Sequence, residues 1–144
     1  MSKVIVQECK NYELENVIEK INSAVENLGG WDKYVKPQDN VLLKVNLIGP
    51  LPSDSAAVTH SEFVRALVRI LKDRNCNVWI GDSSGGAIAG VAPTAQAFKV
   101  SGYVKVAEEE GAEIKNFDRE GVVAVRPESQ CEETMYIAKP MLDA

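Results

Sequence analysis

The sequence predicts an α/β fold: a largely parallel sheet with helices packed on it in three layers. Three observations predict it. Strand-like and helix-like patterns alternate along most of the chain, an order that implies right-handed crossovers and a parallel sheet. The runs Val41-Leu42-Leu43-Lys44-Val45-Asn46 and Val78-Trp79-Ile80-Gly81 are nearly continuous in apolar character, as parallel strands are. Both runs then give way to polar residues, and ligands of open α/β sheets sit outside the carboxyl ends of the strands.

Taken in order, Lys3 to Cys9 alternates and is β-branched at Val4, Ile5 and Val6, which reads as a first strand. Leu14, Val17, Ile18, Ile21, Val25 and Leu28 follow at spacings of three and four. They form one helical stripe over residues 13–28, stopped by Gly29-Gly30. Trp31, Tyr34 and Val35 cover the core edge before the second strand, 41–46. Residues 49–58 make a polar, proline-bearing loop. Thr59-His60-Ser61-Glu62 matches a capping box, with the Thr59 hydroxyl accepting from the N3 amide and Glu62 reaching back. The helix it opens carries Phe63, Val64, Leu67, Ile70 and Leu71 on one face. Lys72 and Arg74 sit at its negative end. The third strand is 78–81. Pro93 suits a helix start, leading to a short helix with Ala97, Phe98 and Val100, then a helix from Tyr103 to Glu110 stopped by Gly111. Residues 112–117, 122–125 and 135–138 complete six strands.

A chain of 144 residues suits one domain, and can bury a core without disulfides or metals as staples. Its net charge of −5 and pI near 5.0 argue against a nucleic-acid or anionic-membrane surface. No stretch reaches the ~20 apolar residues of a membrane span, and no secretory leader is evident. The expected location is cytoplasmic. Cys9, Cys76 and Cys131 are odd in number and far apart, so this chain alone builds neither a zinc knuckle nor a ferredoxin cluster. Cys9 and Cys76 read as small hydrophobes at the ends of core strands. The sequence stops at MLDA, a few residues after an apolar strand, and a domain seldom ends in core-like sequence. The expectation is a fragment.

Functional groups follow two strands. Lys44 offers a point charge for a phosphate or carboxylate; equally, its stem can snorkel along the sheet to water. Asn46, two residues on, is a ligand contact or a turn-making residue. In Asp82-Ser83-Ser84-Gly85-Gly86 the glycines allow close backbone approach, and the hydroxyls and amides can cradle an anion. The spacing is that of neither a Walker loop nor a dinucleotide fingerprint, and a plain turn fits it as well. Asp82 would repel an anion unless Lys44 or a metal ion balanced it. His60, the single histidine, reads first as an exposed residue in a first helical turn, although it also lies at the carboxyl-end rim of the sheet. Glu108-Glu109-Glu110 is a solvated helix end.

KVNL (44–47), AVTHSEFVRALVRILKD (57–73), IGDSSGG (80–86) and AFKVSGYVKVAEEEGAEIKNFD (97–118), in this order, resemble the domain of unknown function 362 family. The resemblance lies in the combination of motifs and covers nearly the whole chain. Members are usually longer, continue into an Asn-x-Pro-Lys-x-Lys-Thr-His motif, and often carry a ferredoxin-like pair of [4Fe–4S] clusters. None of that is present here. The departure supports reading residues 1–144 as the N-terminal part of such a domain, with no cofactor of its own. The family commonly shows Pro where this chain has Ser61. The resemblance implies a pocket at the carboxyl ends of the strands, with Lys44, Asn46, Thr59, His60, Asp82, Ser83, Ser84, Gly85 and Gly86 as its first half. It also implies an anionic ligand in a redox-linked protein, with a ferredoxin-like module in the longer chain. The alternative is a non-catalytic binding or partner-docking domain.

Overall fold

A computed structural model describes residues 2–84, 94–126 and 134–144. Helix α1 (Leu14–Asn27) precedes β1 (Asn40–Lys44). Helix α2 (Ser61–Asp73) then carries the chain back to β2 (Asn77–Asp82). Helices α3 (Thr94–Val100) and α4 (Tyr103–Glu110) return it to β3 (Glu113–Asn116). The three strands form one parallel sheet in the order β1-β2-β3, with Val41 beside Val78 and Ile80 beside Ile114.

The core lies between this sheet and one helical layer. Val45, Leu47, Val78 and Ile80 face Val64, Val68 and Leu71 of α2 and Val106 of α4. α2 touches both α1 and α4, so the three share a side. Of the three layers expected, the described residues show the sheet and this one helical layer. α2 buries Val64, Ala66, Val68, Ile70 and Leu71 because it has α1, α4 and the sheet around it. Phe63, expected on that face, is 39% exposed. A guanidinium–carboxylate network bolts α2 to α4: Arg65 Nη1 lies 2.7 Å from Glu110 Oε1, and Arg69 Nε lies 2.8 Å from Glu110 Oε2.

Two points about the expected strands need correction. Lys3 to Cys9 is not a strand. Val4 and Val6 are 80% and 89% exposed, and the segment lies beside α1 through side-chain contacts alone. Cys9 is accordingly exposed, whereas Cys76 is buried as expected. The last two strands, β4 (Val122–Val125) and β5 (Met135–Ala138), do not join the parallel sheet; they pair with each other antiparallel. Nine residues separate them, fewer than the dozen or so a parallel crossover needs. A short helix, α5 (Pro140–Asp143), follows and reaches the start of β1, where Asn40 Nδ2 donates to the Asp143 carbonyl at 3.2 Å.

Candidate functional site

Parallel neighbours share one rim, and the register brings the carboxyl ends of β1 and β2 together: Lys44 lies beside Gly81. Asp82 ties them. Its side chain is buried, with Oδ1 2.9 Å from Lys44 Nζ and Oδ2 accepting from the Leu47 amide at 2.9 Å. Oδ1 also accepts from the Ser83 amide at 2.8 Å. Lys44 therefore pairs with Asp82 and balances its charge. Its ammonium donates in addition to the Val45 carbonyl at 2.7 Å, while its side chain stays 50% exposed. Lys44 thus snorkels to the rim and is fixed there. An ammonium carries three donors, and these two bonds leave one at the rim among the described residues. A glycine is required below it, because a Cβ at Gly81 would come within 2.6 Å of Phe117 Cε1 and 2.8 Å of Leu42 Cδ1.

Asn46 and Thr59 form a second junction. The Asn46 amide donates to Thr59 Oγ1 at 3.0 Å, the Thr59 amide donates back to the Asn46 carbonyl, and Asn46 Nδ2 donates to the Ala57 carbonyl. Both residues pin the 49–58 loop to the end of β1. With its hydroxyl engaged by Asn46, Thr59 does not cap α2. The N-cap is His60, whose Nδ1 accepts from the Glu62 amide at 3.2 Å, and this corrects the capping-box reading. Ser61 falls at the first helical position, the place proline favours. The His60 ring is half-buried and stacks face to face on Tyr12, with centroids 3.5 Å apart. Tyr103, buried behind this junction, donates its hydroxyl to the Thr59 carbonyl at 2.5 Å. Burial pushes its pKa up to about 12.

The third cluster was not legible in the sequence. Ser84 and Thr94 are both buried, and the Ser84 amide donates to Thr94 Oγ1 at 3.0 Å. Thr94 donates its own proton to Asp118 Oδ2 at 2.5 Å, so the short 2.8 Å contact between the two hydroxyls has Ser84 as donor. The one available signal was placement: Asp118 follows β3 as Asp82 ends β2. Since the amides of Ser83 and Ser84 are committed to Asp82 and Thr94, these two do not act as a free anion cradle. Gly85 and Gly86 lie outside the described residues.

No group of three His, Cys, Asp or Glu side chains converges to hold a metal among the described residues. Burial pushes the Cys76 thiol pKa up, which makes it unreactive. No described helix is long and apolar enough to cross a membrane.

A family model described as Domain of unknown function (DUF362) matches residues 41–144. Thylakoid-associated protein sll1697 of Synechocystis sp. is 32% identical over 84 residues, which are 58% of this chain and 26% of that protein. The chain thus spans about a quarter of that relative's length. No solved structure matches.

Proposed function

The chain belongs to the DUF362 family, whose description names no reaction, and we propose that it binds a small anion at the carboxyl rim of β1 and β2. The observation that carries this reading is the fixed, half-exposed ammonium of Lys44, held by the buried Asp82 and the Val45 carbonyl with a donor left at the rim. Asp82 offsets the charge, so selectivity rests on where the donor points more than on long-range attraction. Asn46, Thr59 and His60 set the shape of the adjoining loop. Calorimetric titration with phosphate, pyrophosphate and dicarboxylates tests the reading. The expected result is saturable binding that Lys44→Ala abolishes. Tight binding of NAD with no response to small anions would contradict it, because no acidic residue stands at the spacing that reads a ribose.

A second reading, a docking domain, is favoured by the β4–β5 hairpin, whose Val122, Val123, Met135 and Tyr136 are all exposed. A ferredoxin-like module of a longer chain, as the family resemblance implies, would be such a partner. A cytoplasmic location belongs to both readings.

A further inference from the structure

We propose that the edge of β1 left unpaired beyond Asn40 is a docking site for one more parallel strand, and that its occupant is the chain's own segment Lys3–Cys9, moving in from its place beside α1. Among the described residues, β1 pairs with β2 alone. Beside it lies a groove of about 470 Å³, lined by Tyr34, Val35, residues 39–42, Asp143 and Ala144. A free sheet edge is a template for an added strand.

Direction and position single out the occupant. α2 leads from the carboxyl end of β1 to the amino end of β2, so it runs antiparallel to both. α1 runs the same way as α2, since Tyr12 before α1 stacks on His60 at the start of α2, and Trp31 after α1 lies under Arg74 at the end of α2. The N-terminal segment runs opposite to α1: Lys3 Nζ donates to the Asn27 carbonyl, Gln7 Nε2 to Ser23 Oγ, and Asn16 Nδ2 to Asn11 Oδ1. It is therefore already parallel to β1. A right-handed crossover through α1, on the flank of α2, places the preceding strand next to β1. The segment's far end is anchored at the correct rim, because Tyr12 stacks on His60 at the start of α2. Residues 10–13 can span about 14 Å when extended, enough to cross the roughly 10 Å diameter of a helix layer.

The neighbouring packing is incomplete where the strand would go. Of the α1 stripe, Val17 is buried, while Ile18, Ile21 and Val25 are half-covered, as are Val41 and Leu43 of β1. The segment is β-branched at Val4, Ile5 and Val6. Its backbone makes no backbone–backbone hydrogen bond among the described residues, so every amide is available.

Hydrogen exchange on the intact chain tests this. Docking predicts that alternate amides among residues 4–8 exchange at least about tenfold more slowly than an unstructured peptide, independent of protein concentration. In a parallel strand alternate residues face one neighbour, so either Ile5→Pro or Val6→Pro removes a bridging amide. One of the two should abolish the protection and lower Tm more than the other. Unprotected exchange at residues 4–8 in the unaltered chain would overturn the proposal. Protection that arises only with a concentration-dependent dimer would overturn the assignment to the chain's own segment and give the groove to a second copy.

Discussion

Replacing Asp82 with alanine removes three acceptor contacts at once, and their surroundings decide what each is worth. The ion pair with Lys44 contributes little, about 0–1 kcal/mol, because the lysine is half-exposed and water can resolvate it. The Ser83 amide is adjacent in the chain and only partly buried, so its loss is smaller still. The Leu47 amide dominates. It sits on a residue 2% exposed and has its acceptor in Asp82 Oδ2, and a buried donor left unsatisfied costs about 1–3 kcal/mol. The sum is about 1–4 kcal/mol, a large share of the roughly 5–15 kcal/mol that holds a domain together. For a chain of this size that lowers Tm by roughly 10 °C. Asp82→Asn keeps an acceptor for Leu47 and loses the ion pair and the Ser83 contact at Oδ1, so it should cost about 1 kcal/mol. Urea titrations of both variants measure the difference. An alanine variant within 0.5 kcal/mol of the parent, or an asparagine variant as unstable as the alanine one, would refute the assignment of the main effect to Leu47.

Three further perturbations follow from the packing. The Arg69 hydrogen bond, working against burial and helped by Arg65, holds the Glu110 carboxyl below its ordinary range. Its contribution is therefore full above the unfolded carboxylate pKa of about 4.3 and is lost as pH falls through the lower folded value; Glu110→Gln should flatten urea-midpoint profiles there. Tyr103, pushed up to about 12 by burial, favours its neutral form in the fold, so stability should fall as pH rises from about 10 towards 12. Tyr103→Phe removes that slope and leaves the Thr59 carbonyl without its donor, at a cost of about 1–3 kcal/mol by thermal melting. Gly81→Ala drives a methyl into Phe117 and Leu42 and should cost about 1–3 kcal/mol; a neutral result would mean that β3 moves aside freely.

Periodicity was a good guide wherever local pattern and tertiary burial agree. The stripe from Leu14 to Leu28 is α1, and the stretches 103–110, 122–125 and 135–138 are elements at those limits. It misled where a distant group claims the local one. Thr59 has the right spacing to cap α2, but the Asn46 amide takes its hydroxyl and the cap passes to His60. The β-branched run at residues 4–6 has strand character without a paired neighbour. β4 and β5 carry strand pattern, yet only their short connection tells that they pair with each other. At the rim, the meeting of Lys44 with Asp82 followed from the adjacency of two parallel strands. The Ser84–Thr94–Asp118 cluster did not, because Thr94 and Asp118 come from different elements and neither has an unusual neighbourhood in sequence.

The central claim, a small-anion site at Lys44, is tested most directly by titrating inorganic phosphate into the isotope-labelled intact chain and following backbone amide shifts. The account predicts saturable changes concentrated at residues 44–47, 59–60 and 82–84, and their loss in Lys44→Ala. Changes confined to exposed lysines elsewhere, such as Lys3 and Lys10, or an unaltered response in the Lys44→Ala protein, would contradict it.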